Sequence, residues 1–241
     1  MKEDGSDIRR LTNDSTFPIT DAALSPDGNK IALTSPVGGI QFYGGTIYIM
    51  NADGTGKYLL TKPNPNDFNS GTGNHPVWSP DSKSLAFWRY VGPEFLANRD
   101  ILTINIDGTN EHQITHSFDT SEYVSDWSPD RSTLLGNATD YIARDSLGYL
   151  LPHTWLTFLD LQGNYLRSWG QVGLTIGDPI YSTSGKKIAF LSSKMEHIGM
   201  YIMNEDGSND SLLTNRDYIY YAPVSWSLDD TKILYNAGFW S

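Results

Sequence analysis

Short runs of alternating apolar and polar residues, separated by turn residues, extend along the whole chain. The runs TIYIMN (46–51) and DILTINI (100–106) are rich in the β-branched and aromatic residues that strands prefer. Asp-Gly occurs at 53–54, 107–108 and 206–207 beside such runs, and Asp-Gly between apolar runs is a strong hairpin signal. No segment keeps the 3.6-residue period of an amphipathic helix. The pattern predicts an all-β protein.

A second pattern occurs five times: an apolar or aromatic residue, a serine, a tight turn and a strand. It reads LSPDGNKIAL, WSPDSKSLAF, WSPDRSTLLG, YSTSGKKIAF and WSLDDTKILY, with anchor serines at 25, 79, 128, 182 and 227. Repeated four-stranded units of about 40 to 50 residues are typical of β-propellers. We therefore expect a β-propeller of about five four-stranded antiparallel blades, whose strands are called a, b, c and d in chain order.

The repeat also carries a family resemblance. HPVWSPDSKSLAF (75–87) together with IYIMNADGTGKYLLT (47–61) resembles the WD40-like repeat of TolB-type propellers, which also occurs in the propeller domains of prolyl-oligopeptidase-type peptidases. The resemblance extends over essentially the whole chain. It implies a non-catalytic module that binds a protein or peptide in the periplasm or outside the cell.

The ends of the chain bear on the number of blades. MKEDGSDIRRLT (1–12) aligns without gaps with MNEDGSNDSLLT (203–214), so residues 8–12 are predicted to form a strand d. That strand either pairs with the last blade or belongs to a preceding one. We expect one propeller domain over 1–241. We favour a slice of a six-bladed TolB-like propeller over a five-bladed ring, because a blade without strand c leaves backbone groups unpaired.

The strand order predicts two different poles. The a–b and c–d turns are short, whereas the b–c and d–a connections are long and rich in Tyr, Trp, Arg and His. The pole with the long connections is called the long-loop pole. Loops on a rigid scaffold often carry binding sites, and Tyr, Trp and Arg are enriched at interface hot spots. The candidate binding residues there are Trp88, Arg89, Tyr90, Phe95, Arg99, Tyr141, Arg144, Tyr149, Tyr218 and Tyr220.

Strand a provides two further predictions. Trp78, Trp127 and Trp226 recur at one register and are expected to pack between blades. Four residues before the anchor serines, Asp21, His75 and Asp178 are candidates for the mouth of a central channel, where they could hold a polar ligand. We predict no metal site, because separate blades should hold these groups too far apart to ligate one ion.

Composition excludes several classes of function. The chain has 17 Lys and Arg against 28 Asp and Glu, a formal net charge of −11, so it should repel nucleic acid. It has no cysteine, which excludes disulfides and thiolate chemistry, and no run of 18 apolar residues that could span a membrane.

Neither G-x-S-x-G nor H-E-x-x-H occurs, and we expect no enzyme activity and no cofactor. The leading hypothesis is a module that binds a protein or peptide through the long-loop pole. One alternative is the substrate-gating propeller of a prolyl-oligopeptidase-type peptidase whose hydrolase domain is absent from this chain. Another is a propeller that binds a carbohydrate or a small ligand, as exposed aromatic residues suggest.

Overall fold

The structure, a computed structural model, forms a propeller of antiparallel sheets. It describes residues 6, 8–12, 18–36, 45–62, 73–91, 98–117, 119–144, 146–148, 150–170, 175–193, 199–215 and 225–235. Within these ranges there are four four-stranded sheets, one two-stranded sheet and no helix. Accordingly, the described part of the chain contains no helix long and apolar enough to cross a membrane. The prediction of an all-β propeller is confirmed.

In every four-stranded blade the strands are neighbours in chain order. The blades are β1 (Asp21–Leu24), β2 (Lys30–Pro36), β3 (Gly45–Asn51) and β4 (Tyr58–Leu59); β5 (Asn74–Trp78), β6 (Ser84–Val91), β7 (Asn98–Asn105) and β8 (His112–Gln113); β9 (Ser121–Trp127), β10 (Thr133–Arg144), β11 (Leu150–Asp160) and β12 (Tyr165–Gly170); and β13 (Ile176–Tyr181), β14 (Lys187–Ser192), β15 (Gly199–Asn204) and β16 (Ser211–Asn215). The two-stranded sheet pairs β17 (Ser225–Trp226) with β18 (Ile233–Leu234).

The anchor serine holds each a–b turn closed. Ser25 Oγ donates to the Asp27 carboxylate at 2.6 Å and accepts the Lys30 amide at 2.9 Å. The same two bonds recur at Ser79, Ser128 and Ser227. The repeated serine and aspartate are therefore structural, because together they satisfy the polar groups of a tight turn.

The c–d turns repeat a second network. Asp53 accepts both the amide and the hydroxyl of Thr55, at 2.9 and 2.6 Å, and the Asn51 side chain donates to the same hydroxyl. Gly54 has φ +92°, a conformation that side chains strongly disfavour. Equivalent bonds occur at 105–109 and 204–208. These Asp-Gly segments are hairpin turns, as predicted.

The hydrophobic core lies between neighbouring blades. One cluster joins Ile47 and Ile49 of the first blade to Leu85 and Phe87 of the second, and similar clusters fill the next two junctions. Strand a of each blade contacts strand a of the next, from β1 to β5, β9 and β13. The innermost strands therefore surround a common axis, and their order places tight turns and long connections at opposite poles.

The repeat tryptophans link the blades, as predicted. Trp78 donates its indole N–H to the Ala23 carbonyl of the preceding blade at 2.9 Å, and Trp127 donates to the Val77 carbonyl at 3.2 Å. Trp226 packs against the cluster of the fourth blade, but its indole nitrogen is buried without a partner among the described residues. The first two tryptophans thus provide both packing and a hydrogen bond.

Two segments differ from the expected outline. The connection over 136–154 is largely β-structure, because β10 and β11 continue as a paired hairpin beyond the blade. Residues 8–12 are not a strand; Arg9 donates to the Asp53 carbonyl at 3.1 Å, and the Leu11 carbonyl lies beside Gly54. Their membership of the last or a preceding blade, and the single domain over 1–241, stay predictions.

A buried carboxyl pair lies between the second and third blades. Glu122 is 0% exposed and accepts hydrogen bonds from Ser117 and Tyr165, while Asp100 accepts the Gln113 amide group. Burial raises the pKa of Glu122 to about 7, and the charge of Asp100 adds to this. The junction therefore favours the protonated form of Glu122.

We predict that Trp78→Phe lowers the free energy of unfolding by about 1–3 kcal/mol, because it leaves the Ala23 carbonyl without its donor and shrinks a buried side chain. Chemical denaturation would measure this. The matched control is Trp226→Phe, which removes an N–H group without a described partner. Its free energy of unfolding should therefore fall by less than that of Trp78→Phe. An equal loss in both variants would contradict the inter-blade bond.

Glu122→Gln should change how stability depends on pH. The folded-state pKa of Glu122 lies above its ordinary value of 4.5, so its stabilising contribution is complete below pH 4.5 and is lost as pH rises to about 7. Between these two pH values, we expect the free energy of unfolding of the variant to gain on the order of 3 kcal/mol relative to wild type. Denaturation at several pH values tests this, with exposed Asp119→Asn as the control. A difference in free energy of unfolding between Glu122→Gln and wild type that does not change with pH would refute the prediction.

Candidate binding site at the channel mouth

A cavity of about 560 Å³ opens at the long-loop pole, where the innermost strands begin. Asp21, His75, Val124 and Asp178 all line it, and each lies four residues before its anchor serine. The equivalent position of strand a in four blades therefore contributes a residue to this one cavity. The structure brings the three polar candidates together around one cavity, and their role in binding stays a prediction.

Asp21 and His75 form a direct pair. His75 Nδ1 lies 2.9 Å from Asp21 Oδ2, and the Ala22 amide donates to the other carboxylate oxygen at 2.8 Å. The His75 side chain is 47% exposed, so the pair remains accessible. Because Asp21 occupies Nδ1, the second ring nitrogen is the one left for a ligand.

The backbone is strained at two of these positions. His75 has φ +52° and Asp178 has φ +43°, the left-handed region that costs on the order of 1–2 kcal/mol for a side-chain-bearing residue. Strand pairing shifts register at both places, between Asn74 and Val77 and between Gly177 and Ile180. These bulges re-aim side chains at the channel mouth.

The three groups are electrostatically coupled. Desolvation lowers the pKa of His75, but the hydrogen bond and charge of Asp21 and the charge of Asp178 outweigh it, so the pKa is raised. Desolvation raises the pKa of Asp21, but His75 outweighs it and the pKa is lowered. Burial raises the pKa of Asp178, which His75 only partly offsets. Asp21 and His75 therefore form an ion pair beside a less compensated carboxyl group.

An aromatic wall forms another side of the cavity. Trp88, Tyr123 and Tyr141 line it, and the rings of Trp88 and Tyr123 meet edge to face at 5.6 Å. The Arg99 guanidinium lies 4.6–5.1 Å from the ring centres of Trp88, Tyr90 and Tyr123 and donates to the Tyr90 hydroxyl. Arg99 is not a lining residue. It supports the wall through cation–π contacts.

Two polar atoms at the cavity lack partners among the described residues. Thr34 is 1% exposed, and its hydroxyl makes no hydrogen bond there. Asn74 accepts the Gly45 amide through its oxygen at 2.8 Å, but its Nδ2 has no partner. Buried polar groups are normally paired, so these two atoms retain unused hydrogen-bonding capacity.

The predicted long-loop residues divide into four groups. Trp88 and Tyr141 line the cavity, and Tyr90 and Arg99 support its wall. Arg89 forms an ion pair with Glu111 at 2.9 Å and does not line the cavity. The remaining predictions lie outside the described residues, or in the case of Arg144 have a side chain outside them: Phe95, Arg144, Tyr149, Tyr218 and Tyr220.

Sequence reasoning missed Tyr123, Thr34 and Asn74. Tyr123 precedes Val124, and strand alternation assigns it to the other face, yet Tyr123, Val124 and Ser125 all line the cavity. Strand pairing shifts register at this place, between Leu135 and Gly136. A Cβ on Gly136 would lie 1.9 Å from the Tyr123 carbonyl oxygen. A glycine within an apolar strand run was the available signal for this close approach.

The described residues around the cavity form neither a three-residue metal cluster nor a hydroxyl–histidine pair. Among the described residues, no group of three His, Asp or Glu side chains could hold a metal ion. No serine or threonine hydroxyl in the described ranges hydrogen-bonds to His75, whose partner is Asp21. The geometry provides charge, hydrogen-bonding atoms and aromatic surface around one cavity.

Known structures share this architecture. A protein assigned as TolB from Agrobacterium tumefaciens is 24% identical with a TM-score of 0.56, over 81% of this chain and 64% of that one. TolB from Acinetobacter baumannii is 20% identical with a TM-score of 0.61, over 92% of this chain and 49% of that one. The chain has a TolB-like β-propeller fold. It spans less than two thirds of either TolB structure.

The same fold also resembles part of an enzyme. Acylaminoacyl peptidase from Pyrococcus horikoshii is 15% identical with a TM-score of 0.58, over 87% of this chain and 34% of that one. No protein-family model and no curated protein matches the sequence. At these identities the likeness establishes the TolB-like fold alone.

Asp21→Asn should lower the pKa of His75, because it removes the negative charge that stabilises the protonated ring. NMR titration of the histidine ring protons would measure this, with His75→Gln assigning the signal. Asp119→Asn, at an exposed site outside the cavity lining, is the control. An unchanged His75 titration in Asp21→Asn would show that the pair does not form.

Proposed function

We propose that this chain is a non-catalytic interaction module that binds a protein or peptide at the long-loop pole, with a segment of the partner entering the cavity. The observation that carries the proposal is the convergence of aromatic, charged and unpaired polar groups from four blades on one cavity. Its volume lies in the range of specific ligand pockets, about 300–1,000 Å³.

The scaffold suits this role. The cavity residues come mainly from strands whose pairing and inter-blade packing hold them in place, so little ordering is needed on binding. Trp88, Tyr123 and Tyr141 present large, stiff surfaces of the kind that dominate interface energies. A partner side chain that displaces water from this wall would gain apolar contact, while the polar groups would set its orientation.

The resemblance to TolB-type propellers supports a periplasmic or extracellular location for this interaction. The structural likeness to the peptidase supports the alternative of a substrate-gating propeller, in which the same cavity would contact a peptide on its way to a hydrolase. In both the TolB-like interaction module and the substrate-gating propeller, a peptide would bind at the long-loop pole.

A neutral carbohydrate is the second candidate ligand. Exposed Tyr141, 57% accessible, and Trp88 offer ring faces, and Asn137 and Thr154 add hydrogen-bonding groups to the lining. Asp21 and Asp178 disfavour acidic sugars through like-charge repulsion.

Tyr141→Ala should weaken peptide binding about tenfold, because it removes exposed aromatic surface at the cavity without disturbing the buried core. Peptides would be selected from a random display library on the immobilised wild-type protein, and their affinities measured by calorimetry. Neutral cello- and malto-oligosaccharides would be measured in parallel.

The matched control is Leu228→Ala. Leu228 is 90% exposed in an a–b turn at the opposite pole, so its removal should leave affinity unchanged. Selected peptides that bind Tyr141→Ala as tightly as wild type would refute the proposal. Oligosaccharides that bind through Tyr141 while no peptide does would favour the second candidate.

A further inference from the structure

We infer that the cavity recognises a primary ammonium group of its peptide ligand, supplied either by a free amino terminus or by a lysine side chain. The inference rests on the proposed function and specifies the chemistry of the partner. It is drawn from the charge of the lining, from the unpaired polar atoms and from the position of the Arg99 guanidinium.

The described lining carries anionic groups and no Lys or Arg. Protonated His75 compensates Asp21 through their 2.9 Å contact. Asp178 has no side-chain hydrogen-bond donor from another described residue, and burial makes its charge costly. A ligand cation would supply the compensation that Asp178 lacks. The overall charge of −11 would also favour the approach of a cation.

The unpaired polar atoms point to the same ligand independently of charge. An ammonium group needs several acceptors, and the Thr34 hydroxyl, buried and without a described partner, is one in addition to the carboxylates. Asn74 Nδ2 is a donor without a described acceptor, which suits a peptide carbonyl oxygen. A peptide offers the required donor and acceptor within one short segment.

The aromatic wall favours a hydrogen-bonding ammonium over a quaternary one. Arg99 already lies against the rings of Trp88 and Tyr123, so these rings interact with an internal cation. The remaining recognition elements are oxygen acceptors, which need N–H donors to bind. The wall is then left to contact the apolar part of the ligand.

His75 couples binding to pH. Asp21 of β1 and Asp178 of β13 are the described charged groups that face it, and the phenols of Tyr123 and Tyr141 complete the titratable lining. A protonated His75 ring would repel an incoming ammonium group, so binding of the ligand should be accompanied by loss of a proton from His75. Affinity should therefore rise with pH through the titration of His75, whose pKa is raised.

Three indole ligands with different side-chain ends test the charge requirement: tryptamine, neutral tryptophol and anionic indole-3-propionate. We expect wild type to bind tryptamine about tenfold more tightly than tryptophol, and indole-3-propionate most weakly. Asp178→Asn should reduce tryptamine affinity to that of tryptophol and leave tryptophol unchanged. Tryptamine that binds no better than tryptophol would overturn the inference, as would a preference that survives Asp178→Asn.

The pH dependence provides a second test. Tryptamine affinity for wild type should increase between pH 5.5 and pH 8, and the affinity of His75→Gln should be constant over that range. A pH-independent wild-type affinity would show that His75 does not compete with the ligand. Tryptophol, which carries no charge, is the control for pH effects on the protein itself.

The peptides selected by display distinguish the two sources of ammonium. If the amino terminus supplies the ammonium group, acetylation of the terminus should weaken binding about tenfold. If a lysine side chain supplies it, acetylation of that lysine should have the same effect. Tyr141-dependent peptides that tolerate both modifications would refute the ammonium inference and leave the proposed function intact. A lack of Tyr141-dependent peptides would refute both.

Discussion

The attachment of each innermost strand to the blade before it is the constraint on which the rest of the structure depends. Trp78 illustrates it: the ring packs among buried residues of two blades, and its N–H reaches the Ala23 carbonyl. Apolar packing alone would allow strands to slide, because it is not directional. The indole hydrogen bond adds direction and so sets the relative register of successive blades.

That register explains why a cavity forms at one pole. Once the strands a are aligned, residues four positions before each anchor serine reach the channel mouth together. Asp21 and His75 belong to different blades and are 54 positions apart, yet their side chains are paired. The bulges at His75 and Asp178 refine their directions at a cost in backbone strain. Such strain is tolerated where surrounding packing over-determines the conformation.

Polar groups serve two separate purposes in this fold. At the tight-turn pole, Ser and Asp side chains satisfy turn amides, and the Asp carboxylates accept hydrogen bonds from groups within a few residues of their own position. At the long-loop pole, Thr34 and Asn74 retain unpaired atoms, and Asp178 has no side-chain hydrogen-bond donor from another described residue. The contrast separates the aspartates that close turns from Asp178 at the cavity, although all of them belong to the same acidic chain.

The sequence by itself determined the all-β class, the repeating blade, the tight turns and the register that brings Asp21, His75 and Asp178 to one place. These follow from local periodicity and turn chemistry, which short stretches of chain encode. Only the tertiary structure decided that Tyr123 joins Trp88 in a wall supported by Arg99, and that Thr34 and Asn74 keep unpaired atoms. Those features depend on contacts between strands distant in the chain, which a single sequence does not specify. Gly136 signals one close approach of two strands but not which side chains meet there.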